Sequence, residues 1–77
     1  MTSSPDDLRE TEARIYWDAC GVLAAARRGV GDMSIEDALD EIGAIGELTD
    51  WPALRIICGQ LVATVRAEEN AKAARVR

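Results

Sequence analysis

The sequence predicts a small all-α domain: two long helices with a short acidic helix between them. Three observations predict it. Helix start signals recur at Ser4-Pro5-Asp6-Asp7, Ser34-Ile35-Glu36-Asp37 and Asp50-Trp51-Pro52. Apolar residues follow each signal at spacings of three and four, the period of a helix with one buried face. The stretches between the helices are short, and the first contains Gly29 and Gly31. The expected spans are 5–28, 34–46 and 50–70, within a single domain over 1–77, and the expected arrangement is compact and antiparallel.

Met1 to Ser4 is expected to be a flexible lead-in. Ser4 suits the N-cap of helix 1, Pro5 its first position, and Asp6 and Asp7 the positive end of its macrodipole. Arg27 and Arg28 occupy the last turn, and Gly29 supplies a left-handed stop. At about 100° per residue, Leu8, Ile15, Ala19, Val22, Leu23 and Ala26 share the face expected to be buried. In the Gly29–Met33 loop, Val30 and Met33 are expected to tuck against the core.

Ser34 opens helix 2 with a capping box in which Asp37 stands where Glu is usual. Ile35, Ala38, Leu39, Ile42 and Ile45 form its stripe, which Leu48 extends approximately. Gly43 and Gly46 each weaken the helix by about 1 kcal/mol relative to Ala, so its end is expected near Gly46.

Thr49 or Asp50 is expected to cap helix 3, with Pro52 in the first turn. Trp51, Leu54, Ile57, Cys58, Leu61, Val62 and Val65 make the longest apolar stripe in the chain. Residues 71–77 have good helix formers but little to bury and are expected to fray.

Composition bounds the function classes. The 77 residues include no Phe, one Tyr and two Trp, so the core is aliphatic and small, and such a chain gains from an added subunit. There is no His, which removes the commonest general base and metal ligand. The carboxylates Asp37, Asp40 and Glu41, or Asp6, Asp7 and Glu10, lie outside the apolar stripes and lack the His that a helical di-metal site uses. Cys20 and Cys58 form no CxxC motif. We therefore expect no enzyme, no metal and no cofactor. The N-terminal residues are acidic and polar, unlike a secretory signal, and no apolar run is long enough to cross a bilayer; a cytoplasmic protein with reduced thiols is expected. Eight Arg against one Lys, with abundant Ala and Gly, suggests a GC-rich genome, actinobacterial or that of a phage infecting such a host.

Two surfaces look made for a partner. Helix 1 places Ala13, Trp17, Gly21 and Ala24 away from its stripe, and helix 3 does so with Ile56, Gly59, Gln60, Ala63 and Ala67. A Trp can bury about 150–250 Å², so leaving one on a second face favours an interface. Gly59, Ala63 and Ala67, spaced by four, would let another helix come close. The simplest occupant is a second copy, since two-fold dimers are the commonest soluble oligomers. The other surface is acidic. The net charge is −5, and residues 31–50 hold seven acids and no base. Glu36, Asp37, Asp40, Glu41 and Glu47 form either a solvated face or a docking patch for a basic protein.

The expected function is a non-enzymatic protein–protein interaction module acting as a homodimer. The first alternative is an acidic modulator, encoded by a phage or mobile element, that binds a host protein. The second is a helix-turn-helix-like transcriptional regulator with helix 3 as its reading helix. Nucleic acid is disfavoured, because helix 3 offers only Arg55 and Arg66 beside Gln60 and Thr64, while the helix before it would turn acids toward the phosphates.

Overall fold

In the computed structural model, which describes residues 5–75 and the side chains of residues 7–75, the chain is three helices with no strand among the described residues. Helix α1 spans Pro5–Arg27, α2 spans Ile35–Leu48 and α3 spans Pro52–Arg75. The lead-in Met1–Ser4, with its expected Ser4 cap, and the terminal Val76 and Arg77 lie outside the described residues.

Each boundary has a local cause. The α1 terminus is a paired left-handed stop: Gly29 N–H donates to Ala26 O, Val30 N–H donates to Ala25 O, and Gly29 sits at φ +75°. The Ser34 hydroxyl accepts from Asp37 N–H at 3.1 Å and opens α2 as expected. Neither Gly43 nor Gly46 ends α2, which continues to Leu48. Arg55, on α3, secures that end: its Nε donates to Gly46 O at 3.3 Å and its Nη2 to Thr49 O at 3.0 Å. A guanidinium on the last carbonyls of a helix both fills their open acceptor positions and meets the negative end of the dipole. Helix α3 is regular to Arg75, although from Asn70 on its described side chains are exposed.

The chain runs up, down, up. Helix α2 packs on both long helices, while α1 and α3 approach each other much less. Arg9 lies over the Trp51 ring at 5.5 Å, and Arg27 Nη2 reaches Glu68 and Glu69 at 3.2 and 3.4 Å. Both contacts join like ends of α1 and α3, so the long helices are parallel to each other and antiparallel to α2. The expected compactness does not hold. The molecule extends 56 × 24 × 13 Å with a radius of gyration of 14.3 Å; about 11.5 Å is usual at this length. The cause is helix length: α2 has 14 residues and covers about 21 Å of axis, against about 35 Å for its neighbours.

Among the described residues the buried core is Ala19 and Leu23 of α1, Ala38, Leu39 and Ile42 of α2, and Leu54, Cys58 and Val65 of α3. Tyr16, Ala26, Ile35, Ile45, Trp51, Leu61 and Val62 pack around it. The expected α2 stripe is the buried one except for Leu48, which is 84% exposed. On α3 the stripe holds apart from Ile57, which stays exposed. The largest correction concerns α1. Its buried seam follows Glu12, Tyr16, Ala19, Leu23 and Ala26, rotated from the expected stripe, and Leu8, Ile15 and Val22 stay exposed. A helix packed chiefly on one short neighbour buries a narrow seam, so residues on the flank of a wider apolar face remain in water. Val30 and Met33 are also exposed, in a loop that passes through Gly31 at φ +90°.

Candidate functional site

Cys58 is buried in the core, Cys20 is half-buried, and both are free thiols. Tyr16 stands on the α1 seam one turn before Cys20 and is close enough to feel both thiols. Burial, then its hydrogen bond with Cys20, then the nearby Cys20 and Cys58 thiols push the Tyr16 hydroxyl up to about 12. Burial, and then Cys20, also push the Cys58 thiol upward. A thiol shifted this way carries less thiolate at neutral pH than an ordinary cysteine, the opposite of an activated nucleophile. Among the described residues no group of three or more His, Cys, Asp or Glu is placed to hold a metal ion, and no helix is long and apolar enough to cross a membrane.

The Tyr16–Cys20–Cys58 cluster links the fold to pH. The fold favours the neutral phenol and thiol, so their stabilisation is complete below their ordinary values of 10.0 and 9.0 and drains away as pH rises beyond them. Melting temperature measured from pH 8 to 12 should therefore fall above about pH 9, with the Tyr16 share lost between 10.0 and about 12. Tyr16→Phe should flatten the upper part of that fall. A variant whose profile parallels the wild type between pH 10 and 12 would contradict the assignment.

The remaining candidates are surfaces. All nine expected interface residues are exposed: Ala13, Trp17, Gly21 and Ala24 on α1, and Ile56, Gly59, Gln60, Ala63 and Ala67 on α3. Trp17 is 76% exposed. An added Cβ at Gly21 or Gly59 would meet nothing within 4 Å, so packing within the chain does not require glycine at either position. Gly59 and Ala63 line an open groove of about 840 Å³ between α2 and α3, with Asp40, Gly43, Ala44 and Glu47 opposite. The groove exists because Gly43, Ala44, Gly59 and Ala63 leave space where larger side chains would interdigitate.

The acidic residues divide into groups with different surroundings. Arg66 Nη2 stands 3.4 Å from Glu36 and 3.8 Å from Asp40, so a base from α3 answers two acids that no base on α2 can. Asp37 supplies the capped N–H at the start of α2. Glu47 lies on the α2–α3 groove. Glu41 sits on the other flank of α2, facing α1 across a second groove. The expected single patch is thus split by the helix into an α3 side that is partly neutralised and an α1 side that is not. Arg66 on the acids and Arg55 on the α2 carbonyls also account for the two bases that a reading helix would turn to phosphates.

No family model, curated protein or solved structure matches this chain.

Two residues that shape these surfaces carry no sequence motif. Thr49, buried at the α2–α3 junction, donates from Oγ1 to Glu12 Oε2 at 2.7 Å and accepts Trp51 N–H at 3.1 Å. It thereby ties α1 to the start of α3, and Trp51 rather than Thr49 precedes the first residue of α3. Thr49 shows in the sequence only as a candidate helix cap, and nothing there marks Glu12 as its partner, because the two are 37 residues apart.

Proposed function

We propose that this protein is a non-enzymatic interaction module that self-associates as a homodimer through the outer faces of α3 and α1. One observation carries the reading. Between Ala53 and Ala67, α3 has no acid, and its two bases, Arg55 and Arg66, are turned onto α2. The outer face left behind is Ala53, Ile56, Gly59, Gln60, Ala63, Thr64 and Ala67, uncharged in a chain that is 30% charged. Ile56 on this face is 59% exposed, and Trp17 stands exposed on α1.

The small residues Gly59, Ala63 and Ala67 permit close helix approach, and Ile56 and Trp17 supply apolar area.

Sedimentation equilibrium tests the reading. The wild type should be dimeric at high micromolar concentration, and Trp17→Glu and Ala63→Glu should each give a folded monomer, because either places a charge on the desolvated face. A wild type that stays monomeric at that concentration removes the proposal.

A further inference from the structure

Beside the outer face of α3 lies a second surface with a different character, the groove between α1 and α2. Ile15, Ala19 and Val22 of α1 form one wall, and Ala44, Ile45 and Leu48 of α2 the other. The trough holds about 350 Å³ and continues toward Glu12 and Thr49 through a smaller hollow that shares Ile15, Ile45 and Leu48. Its apolar ridges stand in water: Ile15 and Val22 are exposed, and Leu48 is the most exposed large apolar residue in the described structure. Ile15 and Val22 stand seven residues apart, two turns along α1, so a second helix laid along the groove can meet both.

The charges on this groove select its occupant. Asp18 lies on the α1 wall and Glu41 on the α2 wall. Glu12 closes one end but is held by the Thr49 hydroxyl. No Lys or Arg lines either hollow. Asp18 and Glu41 make no hydrogen bond or ion pair among the described residues, in contrast to Glu36 and Asp40, which Arg66 answers across the other groove.

We propose that the α1–α2 groove docks a basic amphipathic helix of another protein. The partner lays its apolar stripe along Ile15, Val22 and Leu48 and sets Lys or Arg on its two flanks against Asp18 and Glu41. This is helix-in-groove recognition, with apolar anchors for affinity and flanking charge for selectivity. A second copy of this chain is the poorer occupant: a two-fold pairing through the groove would bring the Asp18 and Glu41 pairs of both copies together with no base in the lining to separate them.

The test uses the isotope-labelled full chain and two helical 18-residue peptides. One carries Leu at three-four spacing flanked by Lys and Arg; the other has Glu in place of every base. The basic peptide should bind saturably and shift the amides of Ile15, Val22, Ala44 and Leu48. At low salt it should bind about tenfold more tightly than the acidic peptide, with the margin shrinking as salt rises. Asp18→Lys with Glu41→Lys, both at exposed positions, should reverse that preference without changing the helical circular dichroism. Trp17→Glu should leave peptide binding intact, which separates this groove from the self-association surface. The proposal is overturned if the basic peptide does not bind at millimolar concentration, if both peptides bind equally, or if the shifts map to the outer face of α3. It is also overturned if the double lysine variant alters self-association, since a second copy would then be the occupant.

Discussion

Replacing Gly46 by alanine should destabilise the fold by up to about 2 kcal/mol, and the same change at Gly43, one helical turn away, should stabilise it by about 0.5–1 kcal/mol. Both glycines lie inside α2, and both carry the same intrinsic cost relative to Ala. What separates them is the neighbour. A Cβ at Gly43 would enter open space, so alanine there brings only its better helix propensity. A Cβ at Gly46 would stand 2.8 Å from Cys58 Cβ and 3.6 Å from the Arg55 carbonyl oxygen. The first atom of a side chain cannot rotate away, so α2 and α3 would have to separate. Overpacking of this kind costs about 1–3 kcal/mol, of which helix propensity returns about 1. Cys58→Ala should not rescue Gly46→Ala, because alanine keeps the offending Cβ. Chemical denaturation of the two variants and the double mutant decides the matter. Equal effects at Gly43 and Gly46 would mean that the close approach of α2 to α3 at Cys58 is not a constraint.

Thr49→Val should cost about 2 kcal/mol, a large share of the roughly 4–12 kcal/mol expected for a domain of this length. Valine matches threonine in shape, so the loss isolates the hydroxyl. Without it the Trp51 N–H loses its acceptor, and the half-buried Glu12 carboxylate loses its donor. Unmet polar groups cost more than the bond they shared was worth. Thr49→Ser keeps the hydroxyl and should lose only about 0.5–1 kcal/mol from a buried methyl. Glu12→Gln retains a side-chain oxygen acceptor for Thr49 and should fall between the two. Urea melts of the three variants order them, and Thr49→Val melting with the wild type would show that the junction does not depend on this pair.

Helix number, order and starts were legible because their causes are local. Ser34 caps within three residues, and Gly29 adopts its left-handed turn from its own φ. The α2 stripe was legible too, since a short helix held between two others buries most of its apolar face. The buried seam of α1 was not. Leu8, Ile15 and Val22 are as apolar as Ala19 and Leu23, and nothing in their spacing says which the neighbour will cover. The nine expected interface residues are exposed, as any residue off the buried seams is.

The sequence by itself determined that this is an all-α chain of three helices with an aliphatic core, an acidic middle segment and unusually apolar outer positions. Those properties follow from period, capping and composition, which act within a few residues. Tertiary structure alone decided that Gly46 and not Gly43 is a contact, and that Arg66 quenches one side of the acidic helix while Asp18 and Glu41 stay open on the other. These depend on the rotation of each helix about its axis, which packing across the core decides, and on pairs such as Glu12 with Thr49 and Arg66 with Glu36, which are 37 and 30 residues apart and leave no periodic trace.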